Sequence, residues 1–373
     1  MGKRFLIYIR DTSFEFLYKF FLKPILFRID PEKVHDSFVS CGEYMGKYLP
    51  LRTVLKIMFS YSHASLEQKY FGIHFKNPIG LAAGFDKNGN LVNILEKIGF
   101  GYAEIGSVTA KTCEGNARPR LWRVPQKRSI RVNYGLKNDG VKQVGYRIFH
   151  SQATLPLGVS IAKTNSKQTV STKEGIEDYA YSLQFLQRND IGSYYTINVS
   201  CPNAFGGKPF EEPVMLRELL LRLQTIHTVK PVFLKFSPNM ERETLDEILT
   251  ICKDFRVDGY ICTNLHKENR KDCAEKGGLS GKAVEDISNE LISYIYQKEQ
   301  GKAFIIGLGG IFSAEDAYKK IQCGASLLQL ITGMIYGGPQ TISQINRGLV
   351  QLLKRDGYTN ISQAIGAYHN KKF

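Results

Sequence analysis

From residue 64 to 366, short runs of apolar and β-branched residues alternate with longer stretches in which apolar positions recur every three to four residues. The runs predict strands over Ile79–Ala83, Ala103–Val108, Leu157–Ala162, Tyr195–Val199, Val232–Phe236, Gly259–Thr263, Ala303–Leu308 and Leu327–Ile331. They lack polar alternation for the most part, as strands covered on both faces should. The intervening periodicity predicts helices over Glu212–His227, Glu241–Phe255, Val284–Gln300 and Ala314–Gln322, among others. Eight strand–helix units over about 290 residues imply a closed α/β barrel, the (β/α)8 TIM barrel, rather than an open sheet. No long linker divides the region, so residues 63–373 read as one barrel domain.

Residues 1–62 follow a different pattern. In Phe14–Phe27, Glu15, Lys19 and Lys23 form one narrow polar stripe, and large apolar side chains cover nearly all the rest. Asp30-Pro31 reads as a cap followed by proline in the first helical turn. Behind it Val34, Phe38, Cys41, Met45 and Tyr48 mark one apolar face of a second helix. Leu51–Phe59 suits a short third helix. A helix apolar over most of its circumference must be buried or must lie in a lipid interface. One arrangement is a helical cap docked on the barrel. The mixture of aromatics with Lys and Arg favours partial insertion into a membrane face, making residues 1–62 an amphipathic, membrane-associating segment.

Charge changes the picture in one respect. Fifty Lys and Arg against 35 Asp and Glu leave a net charge of +15. Such a surface attracts nucleic acid, anionic lipid or an anionic substrate. The basic residues are dispersed and form no recognised nucleic-acid motif, so nucleic acid is the weakest of the three. The seven cysteines are scattered without a C-x-x-C pair, which argues for a reducing compartment and against a metal site. No convincing transit peptide precedes the first helix, which favours the cytoplasmic face of a bacterial inner membrane over the mitochondrial inner membrane.

In a barrel of this type, reactive groups collect at the C-terminal ends of the strands. Those ends carry Ala82-Ala83-Gly84 with Lys87, Ser107, Ser160 and Lys163, then Asn198, Cys201 and Asn203, then Lys235, Thr263 and Asn264, Gly309-Gly310 and Thr332-Gly333. The loop Asn133-Tyr134-Gly135-Leu136 follows the second strand. Carboxamides can hold a ring edge, and a thiol can serve as base or nucleophile. The glycine loop after strand seven, with Ser313 opening a helix, suits a phosphate cradle in which backbone N–H groups and the helix dipole meet the anion. Gly277–Gly281 reads as a mobile loop. Lys87 and Lys235 follow apolar runs, and a buried ammonium needs a counter-charge: a bound anion, or a carboxylate such as Asp86.

The segments NPIGLAAGFDK (77–87), GFGYAEIGSVT (99–109), GNARPRLWR (115–123), NVSCPN (198–203), GGLSGK (277–282), IIGLGGI (305–311) and GASLLQLITG (324–333) resemble the dihydroorotate dehydrogenases. The likeness spans roughly residues 16–366, and the N-terminal helices resemble the quinone-dependent, membrane-associated class 2 branch. It implies oxidation of dihydroorotate to orotate in pyrimidine synthesis, FMN as cofactor, a quinone as acceptor, and a monomer or homodimer. It implies contact with FMN at Ala82, Ala83, Gly84, Lys87, Ser107, Asn198, Lys235, Thr263, Ser280, Gly281, Gly309, Gly310, Thr332 and Gly333. Lys87, Asn198, Asn203 and Asn264 would hold the substrate beside Asn133, Tyr134, Gly135 and Leu136, with Cys201 as base. His35 and Arg123 match positions along the family's quinone tunnel.

The chain departs from class 2 in places. Cys201 stands where those enzymes generally carry serine, and it resembles the soluble class 1 enzymes, which reduce fumarate or NAD. Asn133 is shifted by one from the family's loop asparagine, where Val132 stands. Ser160 replaces an asparagine, Leu265 a threonine and Ile331 a tyrosine. An alternative is therefore a class 1-like enzyme with a soluble acceptor. A non-catalytic membrane-surface protein on the same barrel is the reading from a different class, and it predicts a colourless product.

Overall fold

A computed structural model of the chain describes residues 2–201, 207, 209–268 and 276–369. Its centre is a closed barrel of parallel strands: β1 (Ile79–Leu81), β2 (Tyr102–Val108), β3 (Leu157–Ile161), β4 (Tyr194–Asn198), β5 (Val232–Phe236), β6 (Gly259–Cys262), β7 (Ile305–Leu308) and β8 (Leu327–Leu330). Each strand pairs with its sequence neighbour, and β8 returns to β1 through Leu328↔Ile79. The predicted strands are all present, most of them shorter at one or both ends. Their last residues leave the ladder and turn into the rim.

Alternation sorts the side chains. In β4, Tyr195 and Ile197 pack outward among the apolar residues beneath the helices, whereas Tyr194 and Thr196 face the barrel interior. The lower interior is closed by Tyr102, Tyr194, Phe233 and Phe304, with Phe75 of the Gln68–Tyr70/Ile73–Phe75 hairpin. Above this floor Glu104 accepts hydrogen bonds from Thr196 (3.0 Å) and Gln329 (3.1 Å). The interior is thus filled, and any site belongs at the opposite, C-terminal rim.

Three helices cover one side of that rim: α1 (Gly2–Leu17), α2 (Pro31–Lys47) and α3 (Leu49–Phe59). The first begins well before the predicted Phe14. It continues through a π-helical turn, Tyr18–Leu22, to Leu26. Asp30 caps α2 as expected, accepting the Lys33 amide at 2.9 Å. Gly42 lets α2 approach the barrel closely, because a Cβ there would lie 2.5 Å from Leu91. Leu55 and Phe59 of α3 are buried in the same core as the barrel helices. Polar ties fix α1: Arg10 donates to the carbonyls of Ile57 and Ser60 and to Asp11, and Tyr18 Oη donates to the Ile335 carbonyl at 2.6 Å. Phe16, Phe20, Phe21 and Ile25 nevertheless remain largely exposed. No described helix is long and apolar enough to cross a membrane.

One expectation is overturned. Gly278–Gly281 is no mobile loop but a strand, paired antiparallel with Ser129–Val132, which pairs in turn with Leu121–Val124. This small sheet stands over the rim and supplies a wall of the site. Glycine composition suggested mobility; the non-local partner strand decides the conformation.

Candidate active site

The rim is organised by side chains reaching across strand ends. Asn198 and Lys235 are register partners at the tops of β4 and β5. Asn198 Nδ2 donates to Ser107 Oγ at 2.8 Å, and Ser107 Oγ lies 2.8 Å from Ser160 Oγ. Asn264 Nδ2 donates to Asn198 Oδ1 (3.2 Å) and Ser200 Oγ (3.0 Å). The Asn198 carbonyl accepts from Tyr179 Oη at 2.8 Å. Residues from β2, β3, β4 and the segment after β6 therefore form one polar network, and both amide side chains have their orientation fixed by it.

Two connected hollows open above this network. The smaller, about 70 Å³, is lined by Ala82, Ala83, Lys235, Thr263, Ser280, Gly281, Gly309, Gly310, Thr332 and Gly333. Ser280 Oγ and Thr332 Oγ1 meet at 2.8 Å across it. The larger, about 560 Å³, starts at Gly84, Lys87, Ser107, Tyr134, Gly135, Leu136, Asn198, Cys201 and Asn264. It runs outward between α2 and the barrel past Val34, His35, Phe38, Met45 and Arg123. Both share Ala83, Lys235, Asn264 and Ser280. The inner end is polar and the outer end apolar.

Charge is concentrated at the inner end. Burial lowers the Lys87 ammonium to about 8, against the pull of Asp36 and Glu32 from α2. Lys87 Nζ sits 4.0 Å from the centre of the Tyr134 ring. Asp86 is not its salt-bridge partner; its two oxygens accept the amides of Asn90 and Leu91 at 2.9 and 2.8 Å. Burial also lowers Lys235, opposed by Glu104 and Cys201. The Lys235 ammonium makes no hydrogen bond or ion pair among the described residues. Cys201 lies within electrostatic reach of both Lys235 and Lys163. His35 donates from Nε2 to the Phe85 carbonyl at 2.9 Å, and burial, with Lys87 nearby, holds its imidazole down at about 4. It is neutral at physiological pH.

The family model for dihydroorotate dehydrogenase matches residues 65–353. The chain belongs to the dihydroorotate dehydrogenase family. Relatives named dihydroorotate dehydrogenase (quinone) include that of Nostoc punctiforme, 36% identical over 94% of this chain and 98% of its own. Those of Gloeobacter violaceus (37%; 92% and 97%) and Nautilia profundicola (37%; 94% and 97%) are similar. Among solved structures, the DHODH of Eimeria tenella in complex with ferulenol superposes with a TM-score of 0.79 at 27% identity. The match covers 91% of this chain and 96% of that one. Dihydroorotate dehydrogenases are flavin enzymes as a family.

Most of the expected residues meet at one place, lining the two connected hollows. Asn203 lies outside the described residues. Asn133 does not line the cavity: its carboxamide oxygen accepts from Asn116 Nδ2 at 3.1 Å, and Val132 faces the hollow instead. Asp316 accepts the amides of Phe312 (2.9 Å) and Ser313 (3.0 Å), so the helix Ala314–Gln322 begins on its own carboxylate. The loops at Gly309-Gly310 and Thr332-Gly333 line the smaller hollow. Sequence reasoning passed over Arg120, Glu32 and Asn116, which hold the Tyr134 loop. Arg120 lies inside one of the family-like segments, but its partner is 88 residues distant.

Proposed function

We propose that this chain oxidises dihydroorotate to orotate at the barrel rim and passes the electrons to a quinone that enters between α2 and the barrel. The observation that carries this is the single cavity joining a cationic, carboxamide-lined inner end to an apolar outer end under the cap. A small anionic ring suits the first environment. A prenylated or otherwise apolar oxidant suits the second.

The residues present fit FMN. A buried lysine without a hydrogen-bonding partner among the described residues faces the hollow, as an electron-accepting ring requires. Small residues, Ala82, Ala83 and Gly84, leave room beside it. Gly309-Gly310 and Thr332-Gly333 offer backbone donors for the phosphate. When bound, FMN supplies the two-electron chemistry that links the two substrates. Within the chain, Lys87 would hold the substrate carboxylate, Asn198 and Asn264 the ring amides, and the Cys201 sulfur would take the proton from C5. The apolar wall of Val34, Phe38 and Met45 keeps water from the outer half.

The exposed apolar face of α1 and the helical turn after it supports peripheral membrane association, with Lys19 and Lys23 near the headgroups. Turnover of dihydroorotate against a panel of quinones, fumarate and NAD tests the acceptor. Quinones alone should support full turnover; a preference for fumarate or NAD would overturn the acceptor assignment.

The phosphate end gives a separate expectation. A Cβ at Gly333 would lie 2.0 Å from the Ile311 carbonyl oxygen, so Gly333→Ala must push the two loops apart. Overpacking of about 1–3 kcal/mol corresponds to roughly 5–150-fold weaker cofactor retention. Flavin absorbance after gel filtration reads the loss directly.

A further inference from the structure

One buried side-chain stack beside the Tyr134 loop has no part in the chemistry above. Glu32, in the first turn of α2, and Arg120 are both about nineteen-twentieths buried, with relative exposures of 4% and 5%. Arg120 Nε donates to both Glu32 oxygens (3.1 and 3.3 Å), and Nη2 donates to Oε1 at 2.9 Å. Its Nη1 donates to the carbonyls of Glu114 and Asn116, each at 2.8 Å. Asn116 in turn holds the loop over the inner cavity. Its amide donates to the Tyr134 carbonyl at 3.0 Å and its Nδ2 to the Asn133 carbonyl at 3.1 Å. The Arg120 guanidinium carbon lies 5.1 Å from the Tyr134 ring centre, and Lys87 Nζ lies 4.0 Å from that same ring. An unbroken line of contacts thus runs from the cap helix to the lysine assigned to the substrate carboxylate.

We propose that Glu32 and Arg120 are a positioning pair through which α2 sets the dihydroorotate site, so that the anionic ring is bound at full strength only while the cap is seated. This rests on the assignment of Lys87 and Tyr134 to that site. Breaking a buried pair leaves the other charge uncompensated, so the loop must shift to let water reach Arg120. The cap then serves both half-reactions: its inner face forms the quinone passage, and its first turn holds the substrate loop. The charged and titratable groups facing Lys87 are Glu32, His35 and Asp36 from α2, Asp86 beside it, Lys137 of the neighbouring loop, Tyr134 itself and Arg120 across its ring, with Arg118 paired to Glu32 at 3.0 Å and to Asp36 at 3.6 Å. Two of the three carboxylates among them belong to α2. With the ammonium near 8, affinity for an anionic ligand falls as pH rises through that value. Removing an α2 carboxylate moves the fall to lower pH.

Orotate binding to the full-length, flavin-loaded protein tests this by calorimetry across pH. Glu32→Gln should weaken orotate about tenfold at neutral pH, the loss of roughly one hydrogen-bonded charge contact, and should move the pH fall-off downward, with the KM for quinone unchanged. Asp36→Asn guards against a folding defect in the first variant. Asp36 is half-exposed at 50% and touches Arg118 at 3.6 Å. Its neutralisation should shift the pH fall-off the same way, to a smaller extent, with Tm unchanged. If both variants bind orotate as wild type does while Lys87→Ala loses it, the coupling through α2 is wrong and the site stands. If Lys87→Ala binds normally, the site assignment itself fails, and this proposal with it.

Discussion

Cys201→Ala will slow the reduction of bound flavin by dihydroorotate by about 10²–10⁴-fold, the usual contribution of a positioned base. The side chain sits at the inner end of the cavity, beside Asn198 and within the field of Lys163 and Lys235. Alanine keeps the cavity and both cations but removes the thiol proposed to accept the proton. Flavin content and orotate affinity should therefore stay near wild type while the first half-reaction collapses. Stopped-flow bleaching of the flavin by dihydroorotate, without quinone, isolates that step. Reoxidation of chemically reduced enzyme by quinone should be unaffected, because the outer passage does not involve the sulfur. Bleaching at the wild-type rate would remove Cys201 from the role of base.

The second large effect should appear at the other end of the same cavity. Val34 lines the passage from α2, in a cavity that Ile331 and Met334 also line. Val34→Trp fills part of a hollow of about 560 Å³ without introducing charge. An obstruction worth about 3 kcal/mol at the wall corresponds to roughly a hundredfold loss in kcat/KM for quinone. Bleaching by dihydroorotate should persist, so the variant accumulates reduced flavin during turnover. Equal slowing of both half-reactions would mean that the two substrates share one route, and the division of the cavity proposed above would fail. A smaller, water-soluble quinone analogue should recover part of the lost rate if steric blockage is the cause.

These two variants probe residues that the sequence exposes to very different degrees. Lys87, Asn198, Cys201 and Lys235 sit at the ends of apolar runs, and once the runs are read as barrel strands their convergence follows from strand order alone. The cap is another matter. The spacing of Val34, Phe38, Cys41 and Met45 marks an apolar face, and Asp30-Pro31 marks where the helix starts. Neither says that this face turns towards the barrel rim to wall a passage. The chain's own periodicity likewise misses the twelve residues of α1 before Phe14, where Arg10 and Asp11 interrupt the apolar pattern only to be tied to Ile57, Ser60 and Ser343 in the fold.

What the sequence determined by itself is therefore the barrel, its strand ends and the kind of chemistry collected there. Such features depend on local periodicity, on turn residues and on a regular connection rule, all of which short stretches of chain can carry. What only the tertiary structure decided is pairing between distant segments. Gly278–Gly281 becomes a strand because Ser129–Val132 lies beside it. Asn133 turns to Asn116 and leaves Val132 at the cavity. Asp316 turns back to take the Phe312 and Ser313 amides at the start of its helix. Glu32 finds Arg120 across 88 residues. In each case a polar group, backbone or side chain, had several possible partners along the chain, and the requirement that buried polar groups be satisfied selects one only when packing has brought that partner within reach.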